Sequence, residues 1–191
     1  MTTLGARAIP PGMNTLTRSA LVLLSICVSA TCALAQDSGS LAIRGDVLKP
    51  GRWSPEDVRR QFADQIQPVK FSTGEGKEPH VGTGVPLLSL LQAAAPRVEK
   101  VPKHHDMTFL VIIEARDGYR AFFSLAELLP NVGHAQALLI WEMDGKPLAD
   151  KEAPFRLIVS SDKERDRWIY GISSVTLVDG AKLANQLESG R

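Results

Sequence analysis

Thr108-Phe109-Leu110-Val111-Ile112-Ile113-Glu114-Ala115-Arg116-Asp117-Gly118-Tyr119-Arg120-Ala121-Phe122-Phe123-Ser124-Leu125-Ala126-Glu127 is the stretch that decides the fold. Its first half is a run of β-branched and aromatic residues, Thr108 to Ile113, and Asp117-Gly118 separates it from a second such run, Tyr119 to Phe123. An Asp-Gly pair supplies the positive φ angles of a tight hairpin turn, so the two runs read as paired antiparallel strands. Ser124-Leu125-Ala126-Glu127 then has the Ser-x-x-Glu form of a capping box, which predicts a helix of one or two turns ending at Pro130. Hairpin followed by short helix, without a strand-helix-strand crossover, is the grammar of an α+β domain.

The flanking sequence repeats that grammar. Leu41 to Val47 alternates apolar and polar residues and runs into the turn signal Lys49-Pro50-Gly51, which predicts a first strand. Ser54-Pro55-Glu56-Asp57 opens a helix: Ser54 can accept from the amide of Asp57, proline suits the first position, and the acids favour the positive end of the dipole. Val58 and Phe62, four apart, form its buried side. Pro68 to Ser72 is a second strand, followed by a loop from Thr73 to Gly84. Val85 to Ala95 is a buried helix stopped by Pro96. Ala137 to Met143, Pro154 to Val159 and Ile172 to Val178 are further strands, with Asp144-Gly145 turning the first of them. Dinucleotide glycine motifs, phosphate loops, nucleophile elbows and zinc-protease helices are all missing.

The N-terminus reads differently. Arg18 precedes an apolar run from Ala20 to Val28, and Ala33-Leu34-Ala35 offers the small side chains a signal peptidase accepts, so residues 1–35 are expected to be a signal peptide. A lipid anchor at Cys27 or Cys32 would want a small residue before it, where Ile26 and Thr31 stand. Translation is as well started at Met13 as at Met1. Cleavage before Gln36 would remove both cysteines of the chain and leave 156 of the 191 residues, enough for one core. These divide into a domain over 36–180 and a C-terminal tail over 181–191. The product is expected to be periplasmic or secreted, without a transmembrane segment. Losing Arg7 and Arg18 leaves 20 basic against 21 acidic residues, which points away from nucleic acid as a partner.

In this order and spacing the motifs resemble the oxidoreductase molybdopterin-binding domain of the sulfite oxidase superfamily. Gly84-Val85-Pro86-Leu87 is similar to its helix opening, Asp117-Gly118-Tyr119 with Phe123 to Leu128 to its central hairpin and short helix, and Met143 to Leu148 to its Asp-Gly-x-Pro-Leu turn. Pro154 to Val159 and Arg167 to Ile172 resemble its closing strand pair, and the likeness spans roughly residues 40–179. The resemblance implies the sulfite-oxidase-like α+β fold, with mixed or antiparallel sheets, and a molybdopterin cofactor. It also implies a metal held by a pterin dithiolene and one cysteine thiolate in the loop matching Phe71 to Gly82. Here that loop carries Ser72 and Thr73, and hydroxyls are harder and far less acidic ligands than a thiolate. The chain is also too short for a haem domain or an immunoglobulin-like domain.

Candidate binding residues follow from that match. Ser72 and Thr73 would line the cleft as donors, and Arg165 and Arg167, in the mixed-charge run Ser160 to Trp168, stand where the family's basic residues hold the pterin phosphate; a guanidinium fork suits an anion. Trp168 is expected in the core or the cleft wall. Arg120 and Arg156 read as half-exposed sheet residues. His104-His105-Asp106 reads as a solvated loop, since neighbours in an extended segment face opposite ways, although His80 or His134 could complete a zinc or copper site. No catalytic residue and no metal ligand is assigned. The expected function is therefore a binding or accessory module for a small anionic ligand or a partner protein. An oxidoreductase with a non-cysteine metal ligand, or a histidine-based metal binder, are the alternatives.

Overall fold

The computed structural model describes residues 39–74, 78–100 and 103–190. The expected signal peptide lies outside the described residues. The unit Asp37–Arg191 is built from two sheets, each of five strands. The first takes β1 (Leu41–Gly45), β2 (Gly51–Trp53), β5 (Phe109–Ala115), β6 (Arg120–Ser124) and β10 (Ile172–Asp179), in the order β2-β1-β10-β5-β6. The second takes β3 (Gln67–Phe71), β4 (His80–Pro86), β7 (Ala137–Met143), β8 (Lys146–Pro147) and β9 (Arg156–Val159), with β7 pairing both β8 and β9. All pairings are antiparallel except β1 with β10, which run parallel with Ala42 opposite Ser174. The hairpin anticipated around Asp117-Gly118 is β5–β6, with Ile112 opposite Phe122 and Gly118 at φ +88° in the turn.

The described residues add four α-helices: α1 (Pro55–Gln61), α2 (Leu87–Ala94) and α3 (Leu125–Leu128) between strands, and α4 (Gly180–Ser189) after β10. Ser54 caps α1 and Ser124 caps α3, each with the reciprocal box closed, by Asp57 and Glu127 respectively, as their side-chain chemistry requires. Because strand side chains alternate, the sheets turn Leu41, Ile43, Val111, Ile113, Val175 and Leu177 from one side, and Val85, Leu139, Trp141, Leu157 and Val159 from the other, into a common core closed by α2. Each such side chain, fully buried, contributes roughly 1.5–3 kcal/mol. The opposite residues of the second sheet, Val69, Phe71, Leu138, Ile140 and Ile158, form a smaller cluster with Leu148.

Four sequence readings change. His80–Pro86 is strand β4 and not loop and helix start, because Gly82 and Gly84 let β7 come close: a Cβ on Gly84 would lie 2.1 Å from the Leu139 carbonyl oxygen. Such glycine-rich segments lack the side chains that advertise a strand. Gly51–Trp53 continues past the turn as edge strand β2. The stretch read as a C-terminal tail carries α4, whose N-cap Asp179 accepts from the amides of Ala181 and Lys182. Arg156 is 1% exposed, not half-exposed, because β9 is covered on both faces. No helix among the described residues is long and apolar enough to cross a membrane.

Candidate functional site

Strand β3 delivers Phe71 and then Ser72 to the edge of the second sheet. The Ser72 hydroxyl donates to the Gly74 carbonyl at 2.7 Å and accepts from the Gly74 amide at 3.4 Å, a local turn that serine forms readily. Thr73 follows it, half-buried. The loop between β9 and β10 reaches across to this turn: Arg165 Nη1 donates to the Ser72 carbonyl at 3.4 Å. Trp168 packs edge-on against Phe71 with ring centroids 5.6 Å apart, and its Nε1 donates to the Val159 carbonyl at 3.0 Å. Ser72, Arg165 and Trp168 are thus brought together, and Trp168 packs half-buried against both hydrophobic clusters.

Arg167 points elsewhere. Its fork grips Asp162 at 2.8 and 2.6 Å, its Nη1 lies 3.6 Å from Glu127, and its guanidinium covers the Phe123 ring at 4.3 Å. The Asp162 hydrogen bonds raise its pKa above the ordinary arginine value, against an opposing effect of burial. The guanidinium is therefore already neutralised within the chain.

Arg156, passed over in the sequence as a sheet residue, is the cation that organises the site. It lies on the same face of β9 as Ile158, and its guanidinium sits 4.9 Å from the centroid of Phe71 and 4.2 Å from that of Tyr170. Nη1 donates to Glu152 at 3.2 Å and Nη2 to the Tyr170 hydroxyl at 3.1 Å. Burial lowers its pKa, partly offset by Tyr170 and Glu152. Arg156 Nε and Glu152 Oε2 are buried without a hydrogen-bond partner among the described residues. The only sequence signal for this residue is an arginine heading the apolar run Leu157-Ile158-Val159, a run short enough to be buried on both faces.

The histidines are dispersed. His80 Nδ1 meets Asp144 Oδ2 at 2.7 Å while the Val81 amide donates to Asp144 Oδ1. The Val81 amide first, and His80 second, hold the Asp144 carboxyl below its ordinary pKa. His105, read as part of a solvated loop, is 3% exposed: its Nδ1 accepts from the Glu99 amide at 2.9 Å and its Nε2 faces the buried Asp179 at 3.1 Å. Both ring nitrogens are engaged, which leaves no lone pair for a metal. His104 adopts a left-handed conformation at the start of the 3-10 turn His105–Thr108, so the two neighbours diverge. No group of three or more His, Cys, Asp or Glu positioned for a metal ion occurs among the described residues. Nor is any serine, threonine or tyrosine hydroxyl hydrogen-bonded to an imidazole among the described residues.

The residues do not fit a thiolate-ligated molybdenum pterin. The loop Phe71 to Gly82, where the resemblance implies the thiolate, has no cysteine in the sequence; its Ser72 hydroxyl is folded onto Gly74, and the Arg167 fork that would meet a phosphate is clasped by Asp162.

No family model matches the chain, and no curated protein does. Among solved structures it is similar to the sulfane dehydrogenase SoxCD of Paracoccus pantotrophus, with a TM-score of 0.53 and 19% identity over 76% of this chain. The match spans 39% of that chain. The two-sheet α+β architecture is thus the sulfite-oxidase-like fold that the ordered motifs anticipated.

Proposed function

We propose that this chain is an exported, non-catalytic binding module derived from a molybdopterin-binding domain, acting as an accessory protein. The observation that carries this reading is the loop Phe71 to Gly82: the family resemblance implies a metal thiolate there, the sequence has no cysteine in it, and its Ser72 hydroxyl is closed onto Gly74. Export rests on the apolar run Ala20 to Val28 and on Ala33-Leu34-Ala35. The loop over the site holds Lys163, Arg165 and Arg167 against Asp162, Glu164 and Asp166. That balance gives a free anion little net attraction, and together with half-buried Trp168 it favours a partner protein over a small anionic ligand.

The test is expression of the full chain in a host that makes the molybdenum cofactor, followed by elemental analysis and pterin fluorescence of a denatured extract. Molybdenum and pterin are expected far below one per chain. Stoichiometric amounts of both would replace this reading with a cofactor-dependent oxidoreductase.

A further inference from the structure

At the other end of β3 from Ser72, a half-open cavity of about 420 Å³ lies between the start of β3, α2 and the segment leading into β7. Its volume is that of a small-ligand site. Charged residues make up 23% of the chain, a fraction that would put three or four among the fifteen lining residues, yet none of them is Asp, Glu, Lys or Arg. An ion entering this cleft would give up hydration for a lining whose one ionisable side chain is the His134 imidazole. Neutral ligands carry no such penalty.

The lining divides into an apolar floor, including Val69, Leu128 and Leu138, and a rim of carboxamides from Gln67, Gln92 and Gln136. The side chains of Gln67 and Gln92 are exposed and make no hydrogen bond to another described residue. Gln136 accepts from the Ser160 hydroxyl at 3.0 Å, which leaves its NH2 group to donate outward. A carboxamide both donates and accepts, and another amide returns both bonds with the same planar geometry. In addition, β3 is the outer strand of its sheet and its residues Gln67, Pro68 and Val69 line the cleft, Pro68 offering a backbone acceptor without a donor.

We propose that this cleft binds a short, uncharged peptide segment of a partner chain, with an aliphatic side chain on the Val69–Leu138 floor and its amides on the glutamine rim. The proposal deepens the binding-module reading but does not use the Ser72 loop. Its test is calorimetric titration of the full chain, with 15N spectra, against acetyl-Ala-Val-Leu-Ala-amide. The same peptide with both alanines replaced by aspartate, or both by lysine, and cellobiose, are the comparisons. The neutral peptide is expected to shift the side-chain signals of Gln67, Gln92 and Gln136 and to bind at least about tenfold tighter than either charged peptide, a gap of roughly 1.4 kcal/mol. The double variant Gln67→Ala, Gln92→Ala, at two exposed positions, should weaken it by about tenfold, whereas Arg165→Ala with Arg167→Ala should leave it unchanged. No shift with the neutral peptide, equal affinity for the charged ones, or a response to cellobiose alone would overturn the assignment. None of these results bears on molybdenum content, so the two readings fail separately.

Discussion

The Arg156 guanidinium is held between Tyr170, whose hydroxyl accepts from Nη2 at 3.1 Å, and the ring of Phe71 at 4.9 Å. This pairs the strand that heads the second sheet's minor core with the loop that crosses it. Truncating one partner of a buried ion pair leaves the other charge uncompensated, at a cost of about 3–5 kcal/mol. Arg156→Ala should therefore lower the urea midpoint more than the double variant Arg156→Met, Glu152→Leu, which removes both charges and keeps volume. Equal losses would show that packing, and not the charge, sets the effect.

Asp179 joins three elements: it caps α4, receives His105 and lies 3.1 Å from Lys182 Nζ. Burial pushes its carboxyl up, but the Lys182 amide and ammonium and the His105 ring outweigh it and hold its pKa below the ordinary 3.8. A depressed carboxyl contributes stability that is present above about pH 4 and is lost as pH falls through the folded value. Urea unfolding from pH 6 to pH 2 should show the parent losing stability in that acid window relative to its neutral-pH value. Asp179→Asn should be less stable at pH 6 and should converge on the parent at pH 2.

Gly84 permits the contact of β4 with β7. Gly84→Ala places a methyl against backbone that cannot swing aside, so destabilisation at or above the upper end of the ~1–3 kcal/mol range for overpacking is expected. At Gly118, where an added Cβ meets nothing within 4 Å, alanine should cost far less, through the positive φ alone. Thermal unfolding of the two variants compares them directly.

Ser72→Cys places a thiol in the loop Phe71 to Gly82 but leaves Arg167 clasped by Asp162 and Glu127. The substitution alone is expected to bring no stoichiometric molybdenum into protein made in a cofactor-producing host. Metal content by elemental analysis decides it, and full loading would mean that a thiol at this position is enough for the metal to bind.

The sequence disclosed elements that carry their own chemistry. Asp117-Gly118 fixed a hairpin, Ser54 and Ser124 announced their helices, and the ordered motifs pointed to the architecture. It concealed elements whose identity depends on neighbours. His80 to Pro86 pairs on both sides because two glycines admit β7, and nothing local marks that. Arg156 and His105 look like surface residues until Glu152, Tyr170 and Asp179, distant or unremarkable in the chain, are placed beside them. Of the five candidate residues, Ser72, Arg165 and Trp168 meet around Phe71, and Thr73 adjoins them. Arg167 is turned away by Asp162, a carboxylate five residues upstream whose competition could have been weighed from the sequence.

Strand β1 lies parallel to β10, with Ala42 opposite Ser174 and Gly45 opposite Leu177. The middle of the first sheet therefore cannot close until synthesis has passed β10, and a nascent chain stopped short of residue 172 lacks the strand that joins β1 to β5. Such late closure of a long-range pairing keeps the growing chain open well past the synthesis of its first strand.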